Sequence, residues 1–206
     1  FFLKIVIADR ASILVDTVFN HYTKYGFVEL AAAAVLFAFQ ILCDFNGYTI
    51  IAQGSAAMLG ITLMDNFRQP YLAISVNDFW RRWHISLTSW FTDYLYIPLG
   101  GNRKGTFRKM VNTMVVFLVS GIWHGASWHF VAWGGIHGIY QNLETGVRAL
   151  KHKFHIQNGA MKFSTKALRM LIVFLLTDIA WVFFRAQDCE TAILFFRQMF
   201  TSFQEV

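Results

Sequence analysis

The 206-residue chain is 56% hydrophobic and 17% aromatic, and only 15% of its residues are charged. Soluble domains carry about 25% charged residues, so this composition excludes an ordinary soluble protein and predicts an integral membrane protein. The net charge of +6 does not indicate nucleic-acid binding, because the basic residues form short clusters between apolar segments, as topology signals beside a membrane do.

The first part of the chain predicts two membrane-spanning helices joined by a turn. Residues 27–45 are apolar and, at about 1.5 Å per residue, approach the roughly 30 Å hydrocarbon core; residues 48–64 nearly do so. The DFNG sequence at residues 44–47 predicts the turn. Because the chain opens on Phe and ends inside a helix-like pattern, we expect residues 1–206 to be one membrane-embedded domain truncated at both ends.

Residues 75–98 predict an amphipathic or re-entrant helix, because charged residues interrupt the segment too often for a span. Its large apolar side chains recur at a spacing of three and four: Phe79, Trp83, Leu87, Trp90 and Tyr94. Ser75 with Asp78 predicts the N-terminal cap. Pro98 and the GGNRKG loop that follows predict its end.

Residues 110–143 predict a hydrophobic hairpin that carries His124. Residues 111–140 contain no Asp, Glu, Lys or Arg. A single helix of about 30 residues would place the basic clusters before and after it on opposite sides of the membrane. Two half-length helices broken near His124 keep both clusters cytoplasmic, so we favour this arrangement over two full but short spans. Residues 167–185 predict a further span that buries Asp178.

Several polar residues in these segments are candidates for function, each with a structural alternative. His124 lies in an uncharged stretch, where an ionisable side chain usually faces a protein-lined cavity and has a role. His137 has glycine neighbours that equally suggest a packing role. Arg81 and Arg82 could hold a phosphate or carboxylate, or could instead pair with Asp78. The tryptophans are interpreted mainly as interfacial anchors.

The chemistry that suits such a site is proton transfer in a dry pocket. A neutral imidazole can take the proton of an alcohol as the alcohol attacks an activated acyl group, and burial favours the neutral form. The chain has no GxSxG motif, no HExxH motif and no P-loop spacing. Cys43 and Cys189 lie far apart in apolar surroundings. No catalytic serine, no metal site and no bound cofactor are therefore predicted.

Two long motifs resemble the membrane-bound O-acyltransferase family, in particular its bacterial AlgI-like branch, which acetylates alginate or peptidoglycan. They are FWRRWHISLTSWFTDYLYIPLGGNRKG at residues 79–105 and SGIWHGASWHFVAWGGIHG at residues 120–138. The resemblance also covers KIVIADR, DFNGY, NFRQPY and WVFFRA, and so most of the chain. It implies an all-α polytopic membrane protein with a ring of helices around a reaction chamber, of which this chain is a central to C-terminal part.

The resemblance also implies the roles of individual residues. His124 corresponds to the catalytic histidine of the family, and His84 to the second histidine of the active-site region. The further candidates, which would support the site or bind the donor, are Arg81, Arg82, Trp83, Asp93, Asn102, Trp123, His137 and Asp44.

We therefore expect an O-acyltransferase of the bacterial cytoplasmic (inner) membrane that passes an acetyl or related group toward hydroxyls of an exported polysaccharide or cell-wall glycan. Acyl-CoA, such as acetyl-CoA, is the implied co-substrate. The glycan itself or a periplasmic acetyltransferase partner would receive the group, and membrane lipid would surround the protein. Two alternatives remain open: a proton-coupled transporter with discontinuous helices, and a haem-binding electron carrier with His84 and His124 as axial ligands.

Overall fold

The computed structural model describes residues 1–155 and 161–202, and the regular structure of those residues is helical. The α-helices in chain order are α1 (Asp9–Asn20), α2 (Phe27–Met58), α3 (Val76–Trp80), α4 (Ile85–Phe91), α5 (Gly105–His124), α6 (Trp128–Lys153), α7 (Phe163–Arg185) and α8 (Cys189–Thr201). π-Helical turns cover Phe2–Ala8 and Thr92–Tyr96, and 3-10 turns cover Tyr22–Lys24 and Pro70–Leu72. Among the described residues, α2 and α7 are long and apolar enough to cross a membrane.

Contacts divide the chain into two compact units. The first unit contains residues 1–65 together with the chain from Trp181 onwards, and the second contains residues 66–180. In the first unit, α1 and α8 share an aromatic core in which the rings of Phe19 and Phe195 stack with centroids 4.5 Å apart. The ion pair between Asp16 and Arg185 lies in the same unit.

The turn predicted at residues 44–47 is wrong, because α2 runs through it without a break. Gly47 is buried there, and a Cβ atom at this position would lie 3.1 Å from the backbone nitrogen of Lys4. The Lys4 ammonium group reaches Asp44 at 2.7 Å. Asp and Gly are usual turn residues, but here the glycine allows the N-terminal π-helical turn to approach the helix and the aspartate pairs with a lysine on that turn.

The segment from residue 75 to residue 98 also differs from its prediction, since a non-helical corner at residues 81–84 divides it into α3 and α4. The predicted N-terminal cap is confirmed: the backbone N–H of Asp78 donates to Oγ of Ser75 over 3.0 Å. The corner forms because the backbone next to it pairs with residues 66–68 instead of continuing the helix.

In the second unit, α5 and α6 form a pair of packed helices separated by the short break at residues 125–127. Both helices are longer than the half-length helices expected. At about 1.5 Å per residue, the 20 residues of α5 and the 26 residues of α6 reach roughly 30 and 39 Å.

In α7, Asp178 is buried, and its Oδ1 atom has no hydrogen-bond partner among the described residues.

Candidate active site

His84 lies at the corner between α3 and α4 in a left-handed backbone conformation, with φ 45° and ψ 55°. Such a conformation costs a residue with a side chain roughly 1–2 kcal/mol and needs support from its surroundings. Hydrogen bonds on both sides supply that support. The backbone N–H of Arg68 donates to the Arg82 carbonyl over 2.9 Å, and the N–H of Ile85 donates to the Asn66 carbonyl over 3.1 Å.

Asn66 makes a second contact after the corner. Its side-chain Oδ1 accepts the backbone N–H of Ser86 over 3.0 Å. One asparagine therefore satisfies two of the N–H groups at the start of α4, which would otherwise have no partner within the helix. The direction in which the His84 side chain projects from the backbone depends on this pairing.

His124 is the last residue of α5. Its imidazole meets the Trp133 ring edge-on, with centroids 5.0 Å apart at an interplanar angle of 89°. The next residue, Gly125, has an extended backbone, and a Cβ atom there would lie 2.5 Å from the ring of Phe130. A glycine after the histidine thus lets the chain turn into α6 with Phe130 packed against the turn.

Two further glycines bring α5 and α6 close together. A Cβ atom at Gly134 would lie 2.2 Å from the Phe117 carbonyl oxygen, and one at Gly121 would lie 2.4 Å from the Phe130 carbonyl oxygen. Small residues at a helix contact allow this backbone approach, which is common between helices in membranes. The approach holds His124 of α5 against Trp133 of α6.

Trp80 connects α3 to the same pair of helices. Its indole N–H donates to Nδ1 of His137 over 3.3 Å, and both side chains are buried. The Trp80 ring also meets Trp133 edge-on, with centroids 5.9 Å apart. A continuous group of rings therefore runs from the histidine at the end of α5 to the helix that precedes His84.

His84 and His124 are close enough to interact electrostatically. His84 lies outside the helices that are apolar enough to span a membrane. Burial, and to a smaller extent the charge that a protonated His124 would carry, lower the pKa of His84 to about 4. With a pKa this low, His84 is neutral near pH 7 and can accept or donate a hydrogen bond through its two ring nitrogens.

A cavity of about 410 Å³ lies in the second unit beside Trp80. Arg81 and Lys109 supply two cations to its wall, and Trp80 and Phe117 supply aromatic surface. Hydroxyl and amide side chains complete the polar part of the lining: Asn77, Thr88, Thr92, Tyr96, Thr113, Ser120, Gln141 and Thr145. Such a lining suits a polar ligand that carries an anionic group.

The other predicted site residues fall into different surroundings. Arg82 pairs with Asp78 at 2.9 Å, the structural alternative considered for it. Trp83 is buried against Phe67 and Phe79. Trp123 contacts His124 edge-on, yet 58% of its surface is exposed.

Three predicted residues have no contact with either histidine that the structure shows. Asp93 is exposed on the π-helical turn Thr92–Tyr96, and Asn102 is exposed in the loop before α5. Asp44 belongs to the first unit, where it pairs with Lys4. The interpretation of the tryptophans as interfacial anchors is wrong for the buried ones, which are Trp80, Trp83, Trp133 and Trp181.

Sequence reasoning missed Asn66, Trp80, Trp133 and Glu144. Glu144 accepts the backbone N–H of Asn77 over 3.0 Å and so joins α6 to α3. Asn66 opens the NFRQPY motif already singled out, but nothing in that motif predicts a contact with the start of α4. Trp80 could have been found, because it precedes the paired arginines in a motif already singled out.

A model of the membrane-bound O-acyltransferase family matches residues 6–184. The chain is 40% identical over 192 residues to a peptidoglycan O-acetyltransferase of Helicobacter pylori, which covers 93% of this chain and 35% of that protein. It is 39% identical over 202 residues to a probable alginate O-acetylase AlgI of Pseudomonas aeruginosa, which covers 98% of this chain and 37% of that protein.

A teichoic acid D-alanyltransferase of Streptococcus thermophilus is 31% identical over 127 residues, covering 55% of this chain and 30% of that protein. The chain spans little more than a third of the length of the first two relatives.

Proposed function

The chain belongs to the membrane-bound O-acyltransferase family, and from this premise we propose that the full-length protein transfers an acetyl or related acyl group toward hydroxyls of an exported polysaccharide or cell-wall glycan. The relatives named for peptidoglycan and alginate acetylation support this substrate class. The observation that carries the proposal is the group of packed rings that joins His124, through Trp133 and Trp80, to the helix that ends four residues before His84.

His124 is proposed as the general base. Its neutral imidazole takes the proton from the acceptor hydroxyl while the hydroxyl oxygen attacks the acyl carbonyl carbon. The bond from that carbon to the leaving group then breaks, and the proton passes from His124 to the leaving group. The packing of His124 against Trp133 and Trp123 supports the role, because these rings limit the orientations of the imidazole.

His84 is proposed to orient the reacting group or to stabilise the oxyanion with a hydrogen bond. A pKa of about 4 keeps it neutral, so it can donate from one ring nitrogen without adding a second positive charge next to His124. The left-handed backbone held by Asn66 supports this role, since strain of this kind is often found at functional positions.

The donor is proposed to be acyl-CoA, with acetyl-CoA the first choice. Arg81 and Lys109 support this part of the proposal, because they place two cations on the wall of the 410 Å³ cavity and can hold phosphate oxygens. The protein is proposed to cross the bacterial cytoplasmic membrane several times. A periplasmic acetyltransferase is the alternative acceptor of the acyl group.

The test is His124→Ala in the full-length protein, expressed in a strain that lacks the native gene. Ester-linked acetate on the surface polymer is expected to fall to the level of the deletion strain while the amount of protein in the membrane is unchanged. His152→Ala, which changes an exposed histidine near the end of α6, is the matched control and should restore acetylation fully. Acetylation retained by His124→Ala overturns the assignment.

A further inference from the structure

A second and larger space in the second unit lies between the C-terminal half of α6 and the N-terminal half of α7. Its volume is about 1020 Å³. None of the site residues predicted from the sequence lines it, whereas Glu144, which joins α6 to α3, does. The lining is apolar along most of its length and includes Ile74, Val76, Tyr140, Leu143, Val147, Ile172, Val173 and Leu176.

The cationic residues of this cleft gather at one end. Lys151 lies in the last turn of α6, Lys162 directly precedes α7, and Arg169 lies two turns into α7. The residues at the other end come from further inside both helices, such as Tyr140 and Leu176, and are uncharged. The cleft is therefore amphipathic along its length.

The charges at the cationic end are not neutralised within the described part of the chain. Arg148 also lines the cleft, but it pairs with Glu144, whose other oxygen accepts the backbone N–H of Asn77. No ion pair is formed by Lys151, Lys162 or Arg169 with a described carboxylate. Glu144 also lines the cleft, but its charge is paired with Arg148, so the three remaining positive charges have no counter-charge among the described residues.

The apolar walls are exposed in the part of the chain that the structure describes. Leu143, Val147 and Ile172 expose 63%, 52% and 47% of their surfaces. One wall belongs to α7, which is long and apolar enough to cross a membrane; Lys162 directly precedes it, and Lys166 and Arg169 lie near its N-terminal end. Basic residues in that position lie at the level of lipid headgroups.

We propose that this cleft binds an anionic phospholipid, with the headgroup phosphate among Lys151, Lys162 and Arg169 and an acyl chain along Leu143, Val147 and Ile172. The charge pattern selects against zwitterionic lipids, which offer no net negative charge. The apolar walls of the cleft select against soluble anions, which have no acyl chain. Basic pockets between membrane helices bind anionic headgroups for the same reason.

The experiment measures binding of phosphatidylglycerol and phosphatidylcholine to the full-length protein in detergent by native mass spectrometry. The variant is the triple substitution Lys151→Gln, Lys162→Gln and Arg169→Gln. Each cation near an anionic surface is worth about 1 kcal/mol, so the affinity for phosphatidylglycerol is expected to fall roughly 100-fold. Binding is compared only between samples that elute as a single species.

The matched control removes three exposed cations elsewhere, by Lys24→Gln, Arg103→Gln and Lys104→Gln, and should bind phosphatidylglycerol as the wild type does. Equal affinity of the wild type for the two lipids overturns the proposal. So does a control that loses as much affinity as the triple variant. Dihexanoyl phosphatidylglycerol that binds as tightly as the long-chain lipid, or inorganic phosphate that displaces it fully, shows a soluble-anion site and also overturns it.

Discussion

The indole N–H of Trp80 donates a hydrogen bond to Nδ1 of His137 over 3.3 Å, between two buried side chains from segments 57 residues apart. Because Nδ1 accepts, the proton of the neutral His137 imidazole lies on Nε2. The contact fixes α3 against α6, and His84 follows α3 by four residues. Packing around His137 therefore positions the histidine at the corner.

Replacing Trp80 with Phe keeps an aromatic ring but removes the indole N–H donor. Nδ1 of the buried His137 imidazole then loses its hydrogen bond. We expect the protein to lose about 1–3 kcal/mol of stability. The measurement is the thermal unfolding midpoint of the full-length protein in detergent. Trp90→Phe, at an exposed tryptophan of α4, is the control and should unfold at the wild-type temperature. Equal midpoints for the two variants would show that the hydrogen bond does not stabilise the fold.

Asn66 can be tested with two variants of similar size. Asn66→Asp keeps the Oδ1 acceptor for the Ser86 N–H, whereas Asn66→Leu removes it. Losing one hydrogen bond that holds His84 in place is expected to lower kcat about tenfold for Asn66→Leu and much less for Asn66→Asp. In a His84→Ala background, Asn66→Leu should have no further effect on kcat. A further tenfold loss there would show that Asn66 acts independently of His84.

Gly134→Ala tests the close approach of α5 and α6. The new Cβ atom would lie 2.2 Å from the Phe117 carbonyl oxygen, so the helices must separate. Overpacking of this kind costs about 1–3 kcal/mol, and acyl transfer should fall with it because His124 moves relative to Trp133. The control is Gly146→Ala on the same helix, where a Cβ atom meets nothing within 4 Å. It should be neutral or stabilising by up to about 1 kcal/mol, from helix propensity. Similar losses for both variants would contradict the packing argument.

The low pKa of His84 predicts how stability changes with pH. The folded protein holds this group with a pKa of about 4, below the usual 6.5. Between these values the unfolded chain binds a proton that the folded protein does not, so stability falls as the pH is lowered through 6.5 toward 4. Comparing unfolding midpoints at pH 7.5 and pH 5.5, we expect a larger loss for the wild type than for His84→Gln, which cannot titrate. Equal losses would mean that His84 is not buried in its neutral form.

Much of the local structure follows from the sequence. The low charged fraction and the apolar segments predict a helical membrane protein, and the family belongs to that class. α5 ends at His124, where a glycine stands beside the histidine. The span predicted at residues 167–185 lies within α7. These features depend on neighbouring residues, so periodicity and helix-ending signals are sufficient to find them.

Two predictions failed because distant segments altered a local preference. The DFNG turn is a helix because the N-terminal π-helical turn packs on Gly47 and Lys4 pairs with Asp44. The helix expected from residue 75 to residue 98 breaks at His84 because residues 66–68 pair with the backbone around it. Neither partner is visible in the segment where the prediction was made.

The sequence by itself determined the helical membrane class, the membership in an acyltransferase family and the two histidines worth testing. Only the tertiary structure decided which side chains meet: His124 with Trp133, Trp80 with His137, and Asn66 with the residues after His84. The physical reason is that these contacts join different segments, since helix backbones approach closely at Gly121 and Gly134 and the chain at residues 66–68 pairs with the backbone around His84. Such an approach depends on the fit of two surfaces far apart in the chain, which no local pattern encodes.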